Sequence, residues 1–61
     1  MNGSVIKQRR EKVGLTQLKL ANRLGVDRST VAKWEAGDID PRASLLPALA
    51  KILKCKIEAL Y

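Results

Sequence analysis

Residues 14–37 read GLTQLKLANRLGVDRSTVAKWEAG, and this stretch decides the fold. From Thr16 to Leu24 the apolar residues Leu20, Ala21 and Leu24 recur at helical spacing, with Thr16 placed to cap the first turn. Lys19 stands where a capping box would have Glu or Gln, so that cap is incomplete. A second helix starts after Asp27, whose side chain is expected to cap free N–H groups while Val26 and Val31 staple across the start. Val31 and Trp34 then face the core. Only Gly25-Val26-Asp27 separates the two helices, too short a link for a wide antiparallel hairpin, so they meet at a sharp corner. Ala21 supplies the small residue where the backbones approach, and Gly25 tolerates the positive φ of the turn.

Working outward, Val5 to Val13 forms a helix with Ile6, Arg10 and Val13 on one face, ended by Gly14. Gly37 closes the helix that carries Trp34. Asp38-Ile39-Asp40-Pro41 is a loop anchored by Ile39. A fourth helix carries Leu46, Leu49, Ala50 and Leu53 on one face, with Ser44 as its cap and Pro47 in the first turn, where the missing N–H has no helical partner to lose. A short fifth turn runs from Ile57 to Leu60. The whole is an all-α, five-helix domain covering residues 1–61. A chain of 61 residues buries only about 60% of its unfolded surface, and with one Trp, one Tyr and no Phe its core is built from Leu, Ile, Val and Ala.

The net charge of +6 is unevenly placed. Residues 1–33 hold eight basic and two acidic side chains, and residues 34–61 hold four of each, so the whole excess lies in the first half. Charge alone suits polyphosphate, a membrane surface or plain solubility. One Cys and no His exclude an internal disulfide and the usual zinc spacings. No cofactor or metal is expected, and Cys55 is read as a small packing residue. With no Gly-rich phosphate loop and no base beside any Ser or Thr, the chain is expected not to be an enzyme. No apolar run reaches the roughly 20 residues of a membrane span, and MNGSVIKQRR lacks a signal peptide's apolar stretch. A cytoplasmic setting is expected.

The stretch 14–37 resembles the helix-turn-helix of the phage repressor and Cro-like family of bacterial transcription regulators, with the motif at about residues 16–36. That family's DNA-binding domain has five helices, and the stretches marked above cover nearly the whole chain. The resemblance implies a lambda-repressor-like fold whose third helix lies in the major groove of a double-stranded DNA operator while the second crosses the backbone. It also implies a homodimer on half-sites roughly 34 Å apart. Repression is the family's commoner mode.

The third helix suits that role on its own terms. Arg28, Ser29, Ala32, Lys33 and Ala36 fall opposite Val31 and Trp34, giving a polar face slim enough to enter a groove. Arg28 and Lys33 can each donate to guanine O6 and N7, although charged residues on a helix face are as a rule simply solvated. Ser29 and Thr30 suit base edges or phosphate. The resemblance assigns Gln17 to a phosphate oxygen at a helix start. On that basis Arg28→Ala or Lys33→Ala changes base preference, while Gln17→Ala weakens all sites evenly. Arg42 can reach the backbone from the loop, against repulsion from Asp38 and Asp40. Arg10, on an inward face, needs an acidic partner or must reach a phosphate. The family often pairs an arginine here with a glutamate at the end of the third helix, and Glu35 is present, so Arg10 and Glu35 are read as a structural ion pair. Lys54 stands where the family usually has a glycine, so the fourth helix is expected to end differently. Leu18 is an ordinary exposed leucine.

The rival reading is a protein-interaction or antitoxin-like adaptor module on the same fold. Such a module would expose a contiguous apolar patch where a DNA binder shows basic and small residues. Leu45, Ile52 and Cys55 form a modest stripe suited to self-association. These residues hold no separate sensor domain, so no small-molecule ligand is expected on them, and the sequence suits either a complete minimal repressor or the DNA-binding part of a longer protein.

Overall fold

A computed structural model describes residues 3–60. Helix α1 runs Gly3–Lys12, α2 Gln17–Leu24 and α3 Arg28–Ala36. A 3-10 turn at Ala43–Leu45 leads directly into α4, Leu46–Ile52, and a second 3-10 turn spans Ile57–Leu60. The described residues contain no strand. The fifth expected helix is thus a 3-10 turn, as suits a four-residue segment too short to repay α-helix nucleation. None of the described helices is long and apolar enough to cross a membrane.

All elements converge on one core. Ile6 from α1, Leu20 from α2, Val31 from α3, Leu49 from α4 and Leu60 from the last turn are fully buried, and Trp34 lies among them. Helix α1 begins two residues earlier than the apolar spacing indicates, at the buried Gly3. A side chain there would strike backbone, because a Cβ would lie 2.8 Å from the Glu35 carbonyl oxygen and against that of Trp34. The start of α1 therefore abuts the end of α3, an approach that only glycine permits.

The four helices end alike. In each, the amide two residues past the last turn donates to a carbonyl five residues back: Leu15 to Arg10, Val26 to Ala21, Asp38 to Lys33 and Cys55 to Ala50, all at 3.0 Å. The residue between adopts left-handed backbone, with φ of 80° at Gly14, 72° at Gly25, 83° at Gly37 and 57° at Lys54. This is the Schellman ending. The expectation of a different end for the fourth helix is therefore corrected: Lys54 takes the glycine's conformation, at a steric cost of about 1 kcal/mol.

The helix starts depart further from the sequence reading. Thr16 does cap α2, its Oγ1 accepting from the Lys19 amide at 3.1 Å. Asp27 precedes α3 in extended conformation but makes no side-chain cap bond. Only its carbonyl is engaged, accepting from the Thr30 and Val31 amides. The site is exposed, so water can satisfy the first-turn amides. Ser44 caps nothing at α4, because the helical path begins earlier, at the 3-10 turn following the extended Arg42. Pro47 falls in the first turn of α4, as expected. Ile39 is 45% exposed and does not anchor its loop. The neighbouring Pro41 is the buried residue there.

Candidate nucleic-acid interface

The corner between α2 and α3 is built as the sequence indicates. Ala21 is fully buried at the approach of the two helices. Gly25 turns the chain with φ 72° and ψ 31°, and Asp27 carries it into α3.

A connected set of polar side chains holds α1, α2 and α3 together. Arg10 donates from Nε to Glu35 Oε2 at 2.7 Å and from Nη2 to Oε1 at 3.1 Å. Its Nη1 donates to the Leu15 carbonyl at 2.8 Å. The two side chains are only 10% and 5% exposed, so the structural pair expected from the sequence is present and bidentate, with no phosphate needed to satisfy Arg10. Hydrogen bonding to Glu35 raises the Arg10 pKa above its ordinary value, outweighing the opposite pull of burial. Sequence reasoning did not extend this pair. Gln17 Nε2 also donates to Glu35 Oε1, at 3.0 Å, and Arg28 Nη1 donates to Gln17 Oε1 at 3.3 Å. These two bonds depend on the angle between α2 and α3, for which the sequence carries no signal.

Around α3 the candidate residues divide by position. At about 100° per residue, Ser29, Ala32, Lys33 and Ala36 form the stripe farthest from Val31 and Trp34. Ser29, Lys33 and Ala36 are exposed and Ala32 is half-buried. Arg28, also exposed, edges this stripe on the side of α2, where it meets Gln17. Thr30 edges it on the other side. It is half-buried and lines a shallow hollow with Trp34, Ile39, Asp40 and Arg42. The structure thus brings Gln17 and Arg28 together, and separately Thr30 and Arg42, with Ser29 and Lys33 between them. Among the described residues the exposed large apolar ones are Leu18 and Ile39, both outside α3, and α3's outer stripe carries no apolar patch. Leu45, Ile52 and Cys55 are half-buried and partly spent on the core. The described residues contain no metal-binding group of His, Cys, Asp and Glu.

Two short helices joined at a glycine corner, the second with a slim polar outer stripe, define a helix-turn-helix protein. The helix-turn-helix family model matches residues 6–60, and the chain belongs to that family, whose phage repressor and Cro-like members it resembles in sequence. It is 40% identical over 53 residues to the HTH-type transcriptional regulator DicA of Escherichia coli K12. The match covers 87% of this chain and 39% of DicA, so the chain spans well under half of that relative. The P22 c2 repressor, solved in complex with a synthetic operator, superposes with a TM-score of 0.89 at 33% identity. That match covers 95% of this chain and 88% of the repressor chain. Hydroxypropylphosphonic acid epoxidase from S. wedmorenis is also similar, at TM-score 0.86 and 36% identity. There 95% of this chain matches only 31% of the enzyme chain.

Proposed function

We propose that this chain is a single-domain, sequence-specific reader of double-stranded DNA that acts as a transcriptional regulator by repression. The observation that carries this reading is the outer stripe of α3, where Ser29 and Lys33 stand among small alanines with Arg28 at the edge. Such a stripe fits a major groove about 12 Å wide. In this reading Arg28 and Lys33 donate to base edges, Ser29 and Thr30 contact bases or phosphate, and Gln17 and Arg42 hold the backbone on either side. That the P22 c2 repressor was solved in complex with a synthetic operator supports DNA binding by this fold.

Two copies bind one operator. The backbone measures 24 Å along its longest axis, less than the roughly 34 Å between half-sites one helical turn apart, so neighbouring copies fit side by side. The Leu45, Ile52 and Cys55 stripe is the proposed contact between them. No catalysis is assigned, because the epoxidase similarity is confined to under a third of that enzyme and α3 presents no reactive constellation. The working place is the cytoplasm, where the operator lies.

Selection of bound duplexes from a random pool, followed by titration of the enriched sequence at several salt concentrations, tests the reading. The expected outcome is a two-fold symmetric motif with half-site centres about one helical turn apart. A steep salt dependence without an enriched motif would reduce the function to general affinity for polyanions. Absence of binding at low salt would favour the adaptor reading.

A further inference from the structure

We infer that Glu35, a side chain only 5% exposed, is a positioning residue for base readout: it locks the Gln17 amide in one orientation and through it holds Arg28 in its reading pose. The inference rests on the reading that Arg28 meets a base.

Its basis is the chemistry of the neighbours. The Gln17 amide lies between a carboxylate, which only accepts, and a guanidinium, which only donates. Its NH2 group must face Glu35 and its carbonyl oxygen must face Arg28. The flipped amide would set oxygen against oxygen at one end and N–H against N–H at the other. Glu35 is itself immobilised by two bonds from Arg10, and Arg10 by the Leu15 carbonyl. Order therefore passes from the Leu15 carbonyl in the link between α1 and α2, through Arg10, Glu35 and Gln17, to Arg28 on α3.

The arrangement leaves the reading groups available. Gln17 keeps a second amide N–H for a phosphate oxygen. Arg28 spends one of five N–H donors, leaving enough for a bidentate contact with a guanine edge. An exposed hydrogen bond of 3.3 Å competes with water and would hold Arg28 poorly if the glutamine were free to turn. Anchored at Glu35, the acceptor is fixed in advance, and Arg28 loses less freedom when it binds. This alters the expectation for Gln17→Ala, which should now lower base preference at the Arg28 position as well as overall affinity.

The test is a cycle of Glu35→Gln, Gln17→Ala and the double variant, titrated against a selected operator and its single-base variants. Arg28→Ala first maps the base position that Arg28 reads. A glutamine at 35 still accepts from Arg10 but no longer dictates the amide's direction. Its loss of one negative charge shifts affinity for all duplexes alike, so the ratio between bases is the readout. The expected result is a three- to tenfold fall in preference at the mapped position alone, in line with the loss of one hydrogen bond. In the Gln17→Ala background the same substitution should change that ratio less than twofold. A uniform change across all bases, or an effect that persists without Gln17, overturns the inference.

NMR of the unmodified chain supplies a second reading should Glu35→Gln unfold. The Gln17 side-chain amide should show one proton shifted and slow to exchange with water, against fast exchange for the exposed Gln8. Fast exchange at both overturns the lock. A chain that prefers no DNA sequence while keeping the protected Gln17 proton would overturn the DNA reading, and Glu35's readout role with it, but not the lock.

Discussion

Helices α1, α2 and α3 add directed polar bonds to the apolar core they share, whereas α4 meets that core through its apolar face. Arg10 on α1 is tied to Glu35 on α3 by two hydrogen bonds and to the Leu15 carbonyl by a third. Helix α4 is held by Leu46, Leu49, Ala50 and Leu53, packed into the common core. Apolar burial contributes about 25 cal/mol per Å2 wherever the surfaces meet and tolerates small rotations. A buried ion pair adds little net stability over an apolar pair, but its donors and acceptors fix direction. The face proposed to read DNA belongs to the helices whose connections specify orientation.

Breaking the polar connection from one side should have the largest effect. Arg10→Ala leaves the Glu35 carboxylate buried without its main partner, and urea denaturation should show a loss of about 3–5 kcal/mol. On the apolar side, Leu53→Ala deletes a side chain that is 1% exposed. It should cost about 2–5 kcal/mol by the same measurement, while the folded fraction keeps its base preferences. The sharpest contrast is the paired replacement Arg10→Met with Glu35→Leu. Stability should stay within about 1–2 kcal/mol of the original or rise, yet discrimination at the Arg28 base should still fall, because Gln17 has lost its anchor. Unaltered discrimination would show that the polar connection carries no orientation.

Smaller effects concern the helix ends. Thr16→Ala removes the cap bond to the Lys19 amide and should cost about 1 kcal/mol. Lys54→Gly should stabilise the chain by about 1 kcal/mol, since glycine adopts the left-handed conformation without a Cβ penalty. Its DNA affinity should fall only by the small, uniform amount expected from one lost charge. Rising pH should leave the ion pair intact on the arginine side. A raised folded pKa contributes stability that is complete below the unfolded value and is lost only as pH passes the folded one, above the working range.

The sequence makes the helices, the glycine corner and the inward face of α3 legible, because each rests on residues a few positions apart. The pairing of Arg10 with Glu35 was also within reach, since an inward arginine needs an acid and the family supplies one at the end of the third helix. Gln17 looked like a phosphate contact alone, because its bonds to Glu35 and Arg28 join residues 18 and 11 positions apart and exist only at the observed crossing of the helices. Local reading also overreached. Asp27 and Ser44 are favourable cap types, but the exposed start of α3 leaves Asp27 without a side-chain cap bond, and the preceding 3-10 turn places Ser44 inside the helical path. Ile39 reads as the anchor of its loop by type, but it is exposed and the buried residue there is Pro41. Lys54 shows the converse: the ending persists without its usual glycine, since the Cys55 to Ala50 bond and packing of Leu53 hold the backbone in place.

The most direct test of α3 as the reading element is a binding profile over every single-base variant of the selected half-site, measured for the unmodified chain, Arg28→Ala and Lys33→Ala. Each substitution should erase preference at its own one or two base positions, by about 1–3 kcal/mol, and leave the other positions unchanged. A uniform loss across all positions for both variants would place these side chains on the phosphates and contradict the assignment of α3 to the groove.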